Sequence, residues 1–160
     1  LYKGFKDLKM LGLIETLPRI FGIQSEGSSA IANAFEAGTE TIEPVHATTL
    51  ADSISVDLPR DGLRALRATA QTGGAYITVQ DQDILSAIAS LGKVGIFAEP
   101  AGATAYAGVL QAKQSGLIDE HDPVLCMITG SGLKDVNAAM KAVPQAQIIE
   151  PSMAALKKIL

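Results

Sequence analysis

"VLCMITGSGLKD", residues 124–135, runs five apolar residues into Thr129, Gly130, Ser131 and Gly132. An apolar run that stops at glycines beside hydroxyls has the pattern of a buried parallel strand whose carboxyl end opens at a sheet edge. In parallel α/β sheets that edge is where ligands bind. Two readings of the turn stand side by side. Thr129 and Ser131 could offer hydroxyls to a ring nitrogen or an anion, with Gly130 and Gly132 permitting close backbone approach or positive φ. Or the glycines merely turn the chain into the next helix, since short glycine-rich turns are common.

The sequence on either side alternates strand and helix. Tyr2, Phe5, Leu8 and Leu11 recur at three-residue steps with charges between them, an amphipathic helix ended by Gly12. "RIFGIQ" (19–24) reads as a buried strand, and 25–29 supply caps for a helix stopped by Gly38. The stretch 39–59 is long, threonine-rich and irregular, with room for a helical turn in "TLADSISV" (49–56). Asp61 is placed to cap a helix ending at Gly73 and Gly74, and Asp81 to cap "DQDILSAIASLG". Further strands are expected at "AYITVQ" (75–80), "VGIFAEP" (94–100), "PVLCMITG" (123–130) and "AQIIEP" (146–151), with helices between them and after the last. This alternation predicts a three-layer α/β fold around a mostly parallel, doubly wound sheet.

Composition narrows the function. The 160 residues are 48% hydrophobic and 19% charged, a globular balance, and the net charge of −4 argues against a nucleic-acid partner. No stretch has the bulk of a membrane span, and the charged opening lacks the apolar centre of a signal peptide. The single cysteine, Cys126, reads as a buried, inert thiol in the apolar run, and its solitude fits a reducing cytoplasm. His46 and His121 have no metal-ligand spacing around them, so no metal site is expected. The chain starts at Leu1 in what reads as the body of a helix, which suggests a piece of a longer protein.

A second candidate lies at "FAEPAGATAYAG" (97–108). Glu99 follows an apolar run, and a carboxylate at such a place needs a partner or a pocket. The small residues 101–103 would let a planar ligand or another backbone come near; equally, Glu99 could cap a helix whose alanines only pack.

Taken together, "AEPAGA" (98–103) about thirty residues ahead of "TGSGLKD" (129–135), with "TLADSISV" upstream and "RIFGIQSEG" (19–27) near the start, resembles the threonine synthase family. More broadly the pattern is similar to pyridoxal-phosphate enzymes of the tryptophan synthase β-like type, which include threonine dehydratase and serine racemase. The resemblance covers essentially the whole chain. It implies that residues 1–160 are the C-terminal portion of the large catalytic domain of a fold-type II enzyme. It implies pyridoxal 5′-phosphate as cofactor, with Thr129 bonding the pyridine nitrogen, Gly130 and Ser131 shaping the same wall, and Glu99 near the ring edge. Ile96 and Leu125 carry over as scaffold.

The family's Schiff-base lysine and glycine-rich phosphate loop belong to an N-terminal half with no counterpart here. None of the nine lysines stands in the lysine motif, and Lys134 reads as a surface residue capping or pairing with Asp135. No catalytic residue is therefore assigned. The implied reaction turns O-phosphohomoserine and water into threonine and phosphate, in a cytoplasmic homodimer with no membrane partner. The chain alone is expected to be inactive. A threonine or serine dehydratase-like β-eliminating enzyme, or a non-catalytic binding module, are the alternatives.

Overall fold

A computed structural model describes residues 1–159. Its centre is a two-stranded parallel sheet, β1 (Gly22–Ser25) beside β2 (Tyr76–Val79), in register Gly22 to Tyr76 through Ser25 to Val79. Parallel neighbours need a crossover. Here it runs through α2 (Ala30–Glu36), the 39–59 excursion and α3 (Gly62–Gln71). After β2 come α4 (Asp81–Lys93), α5 (Pro100–Gln114), α6 (Val136–Ala142) and α7 (Met153–Leu156); α1 (Tyr2–Met10) precedes β1.

Side chains alternate across a strand, so β2 feeds two cores. Ile77 and Val79 point to one that includes Ile84, Ile88 and Leu91 of α4 with Ala103 and Ala107 of α5. Tyr76 points to the other, formed by Ile31, Ala34 and Leu66 of α2 and α3. Helices thus cover both faces, the expected three-layer arrangement. The alanines of α5 have a packing purpose: at Gly108 an added Cβ would lie 2.4 Å from Ile23 Cδ1, so α5 rests directly on β1.

The helix ends follow the sequence closely. Gly12, Gly38, Gly73 and Gly116 all take positive φ after α1, α2, α3 and α5. The caps differ in detail. Gln24 Oε1, not a serine, accepts from the N–H groups of Ile31 and Ala32 at 3.1 and 2.8 Å. Asp61 stands at the N-cap of α3 but makes no side-chain cap bond. Asp81 is not the cap of α4 either; Gln80 holds that position, and its N–H donates to Asp83 Oδ2 at 3.2 Å.

The larger departure concerns the remaining strands. Val94 and Gly95 belong to the turn that ends α4, Gly95 with positive φ, while residues 96–97 and 123–129 join no ladder and 146–151 form no strand. Val94 is 72% exposed, Leu125 81% and Ile148 100%. An extended segment becomes a strand only when another lies beside it to exchange backbone hydrogen bonds, and no described segment flanks these. Ile96 and Leu125, expected as buried scaffold, are therefore exposed.

Candidate functional site

What does hold 94–98 and 124–131 is one antiparallel bridge, Ala98 with Ser131. The Glu99 N–H donates to the Gly130 carbonyl at 3.0 Å, and the Gly132 N–H to the Phe97 carbonyl at 2.9 Å. The two loops singled out in the sequence are thereby clipped together just where α5 begins. The glycines permit this by their bareness. Neither Gly130 nor Gly132 has positive φ. A Cβ on Gly130 would lie 1.7 Å from Glu99 Oε1, and one on Gly132 would lie 2.3 Å from the Phe97 ring. Gly102 is the third close approach, with Gly130 backbone atoms 3.3 Å from its would-be Cβ. Of the two roles open to these glycines, close approach is the one they fill.

Glu99 is 6% exposed, the N-cap residue of α5 without a side-chain cap bond. Its partner is Lys134, with Nζ 3.6 Å from Oε1. Lys134 thus reaches back over the turn to Glu99 instead of to Asp135, whose carboxylate caps α6 by accepting from Ala138 N–H at 2.9 Å. A cleft of about 340 Å³ opens at this point, lined by Asp52, Ser53, Glu99, Pro100, Ala101, Lys134 and Asp135.

Thr129 is exposed and its hydroxyl has no hydrogen-bond partner among the described residues. Ser131 Oγ accepts from Leu133 N–H at 3.3 Å and so helps turn the chain into the short 3₁₀ helix Gly132–Lys134. Thr129, Gly130, Ser131 and Glu99 therefore fall at one place, the first with a free hydroxyl and the last as the support behind it.

Asp52 and Ser53 were not singled out from sequence. They reach the cleft because the 39–59 excursion is pinned to the sheet, and a pairing across about fifty residues leaves no local signature. Cys126 departs from expectation: it is partly buried and lines an apolar groove of about 490 Å³ with Phe21, Ile23 and Val109. Desolvation raises its thiol above the ordinary value of 9.0. Among the described residues no His, Cys, Asp and Glu side chains gather into a metal-holding group, and no helix is long and apolar enough to cross a membrane.

Comparison with known proteins gives this arrangement its context. The family described as pyridoxal-phosphate dependent enzyme matches residues 1–130. Threonine synthase of Methanocaldococcus jannaschii is 38% identical over 162 aligned positions, which take in 100% of this chain and 40% of the relative. Threonine synthase of Methanosarcina acetivorans is 33% identical, again over 100% of this chain and 40% of the relative. The crystal structure of threonine synthase from Escherichia coli superposes with a TM-score of 0.63 at 16% identity, over 89% of this chain and 37% of that one, a likeness of fold. The chain spans about 40% of the length of the curated relatives it matches. It belongs to the pyridoxal-phosphate dependent enzymes.

The residues present fit one side of such a cofactor. Thr129 offers a hydroxyl with no partner among the described residues, and the place of a Gly130 side chain is taken by the Glu99 carboxylate behind the turn. The described lysine nearest the turn, Lys134, is engaged with Glu99.

Proposed function

We propose that this chain is the C-terminal portion of the catalytic domain of a threonine synthase, carrying the wall that receives the pyridine nitrogen of pyridoxal phosphate. The observation that carries the reading is the match of the whole chain to proteins named threonine synthase, at 38% and 33% identity. The reaction would convert O-phosphohomoserine and water to threonine and phosphate.

When bound, the cofactor supplies an electron-withdrawing ring that stabilises negative charge developing on the amino-acid substrate. The chain's own contribution starts at Thr129. Its Oγ1 would donate a hydrogen bond to the ring nitrogen while keeping its proton, because a hydroxyl is far too weak an acid to give it up. Compared with an aspartate there, this leaves the nitrogen uncharged and moderates the electron demand, which suits elimination and replacement over transamination. Gly130, by lacking Cβ, lets Glu99 close the floor of the turn. Ser131 would bound the same wall, and the Lys134–Glu99 pair would hold the turn from behind.

The covalent lysine and the phosphate loop would come from the part of the relatives' length that this chain does not span, so the chain alone would not turn over. The whole protein would act on a small soluble amino-acid substrate in the cytoplasm, as a homodimer. One assay decides the activity. The full-length protein with pyridoxal phosphate should release phosphate and form threonine from O-phosphohomoserine. Ammonia from threonine or serine, with no phosphate release, would overturn the reading in favour of a dehydratase.

A further inference from the structure

We infer that Asp81 is a positioning residue, whose carboxylate seats the 39–59 excursion so that Asp52 and Ser53 form the cleft wall with Glu99 and Lys134. The inference rests on the proposed function and extends it: the cleft, which shares Glu99 and Lys134 with the turn, is taken as part of the substrate site.

An aspartate in the first turn of a helix ordinarily serves the helix itself, by capping or by its charge. The N-cap position of α4 is already held by Gln80. Asp81 points elsewhere. It accepts from Thr49 Oγ1 at 2.5 Å and Ser25 Oγ at 3.3 Å on one oxygen, and from Leu50 N–H at 2.9 Å on the other. Ser25 is the last residue of β1 and is 1% exposed. Asp81 follows β2 by two residues, so its carboxylate lies over the carboxyl ends of both strands.

From there the order passes down the loop. Thr49 Oγ1 accepts from Ala51 N–H at 3.2 Å, and Ala51 is fully buried in the main core. Asp52 N–H donates to the Leu50 carbonyl at 3.0 Å and opens the 3₁₀ turn Asp52–Ile54. That turn presents Asp52 and Ser53 to the cleft. Beyond it a separate anchor takes hold: Ser28 Oγ donates to the Ile54 carbonyl at 2.9 Å and accepts from Val56 N–H at 3.1 Å. The turn is thus pinned on both sides, by a neutral hydroxyl after it and by a carboxylate before it. Hydrogen bonds to a charged acceptor are about twice as strong as neutral ones, so the carboxylate is the stronger of the two anchors. Without it, residues 49–53 would have the burial of Ala51, the packing of Leu50 on the main core and their own turn bonds to offset the entropy of ordering an irregular segment.

The test uses the full-length protein and two variants. Asp81→Asn keeps the shape but removes the charge and replaces one accepting oxygen by an NH₂ group, so at most two of the three donors keep their present acceptor and those bonds become weaker neutral ones. Thr49→Val removes a single donor and is the milder change, which decides the matter should Asp81→Asn fail to fold. Two quantities are read: amide hydrogen exchange without substrate, and kcat and KM for O-phosphohomoserine. In Asp81→Asn the amides of Leu50 and Ala51 should exchange about tenfold faster or more, while those of Ile77 and Val79 keep their protection. KM should rise by about tenfold with kcat changed by less than about threefold, the split expected when uniform binding is lost. Thr49→Val should shift both in the same direction by less.

Wild-type exchange at Leu50 and Ala51 in both variants would overturn the anchor. A loosened loop with unchanged KM would overturn its link to the site. A fall in kcat and in bound cofactor at constant KM would replace it with a general structural role. Should the wild-type protein make no threonine from O-phosphohomoserine, the proposed function fails, and the exchange measurement still decides what Asp81 holds.

Discussion

Thr129→Val is the substitution that most directly tests the site. Valine keeps the β-branched shape and removes only the hydroxyl. Thr129 is exposed, and among the described residues its side chain hydrogen-bonds to nothing, so the fold loses no interaction. Surface changes of this kind usually stay within about 0.5 kcal/mol of stability. Any larger effect must come from a ligand. If the hydroxyl bonds the pyridine nitrogen in a desolvated site, its loss should cost roughly 1–3 kcal/mol. That corresponds to about one to two decades in turnover or in cofactor affinity. The assay is titration of the full-length protein with pyridoxal phosphate, followed by the cofactor's absorbance, with steady-state phosphate release in parallel and a thermal melt to confirm equal stability. Thr129→Ser should retain most activity, since the hydroxyl survives. Thr129→Asp should hold a proton at the ring nitrogen and increase transamination as a side reaction. Ser131→Ala should have the smaller effect, because Ser131 Oγ already accepts from the Leu133 N–H. Equal affinity and turnover in the valine variant would refute the reasoning. A larger loss at Ser131 than at Thr129 would keep the wall and move the contact to its neighbour.

Gly130→Ala should destabilise the clip by roughly 1–3 kcal/mol, as overpacking does, because its Cβ would meet Glu99 Oε1 at 1.7 Å. Thermal melts of Gly130→Ala, Glu99→Ala and the double variant should show partial recovery in the double; strict additivity would mean the two residues do not press on one another. Cys126 should react slowly with iodoacetamide near neutral pH and faster as pH climbs past the ordinary thiol range, since desolvation raises its pKa and only the thiolate attacks. A rate already at its plateau at pH 7 would contradict the shift. The 160-residue chain, incubated with pyridoxal phosphate and reduced with borohydride, should show no single stoichiometrically labelled lysine; mass spectrometry finding one would undo the assignment of the covalent lysine to another part of the protein. With Leu125 at 81% and Val94 at 72% exposure, the same chain should bind a hydrophobic dye or self-associate. A monomer that excludes the dye and unfolds in one cooperative step would show that these faces are covered.

Local pattern alone was enough for much of the fold. The three-residue apolar spacing of α1, the glycines that stop α1, α2, α3 and α5 with positive φ, and the β-rich alternation of Tyr76–Val79 are all nearest-neighbour effects, set by dihedral freedom and side-chain period. So was the pairing of "AEPAGA" with "TGSG", although only as two strand exits that a parallel sheet would bring to one edge. What the sequence could not decide was anything that depends on which segments become neighbours. The runs 94–100 and 123–130 read as strands, yet a strand is a property of a pair, and among the described residues the only bridge at either is that of Ala98 with Ser131, just beyond the second run. Lys134 stands next to Asp135 in sequence, but the 3₁₀ turn Gly132–Lys134 carries it to Glu99, while Asp135 is committed to Ala138. Asp81 sits where an aspartate would cap a helix; the tertiary fold gives that place to Gln80 and sets Asp81 across the sheet edge from Ser25, Thr49 and Leu50. Those donors come from 31 to 56 residues away, and a hydrogen bond over such a separation exists only once the whole chain has been brought together.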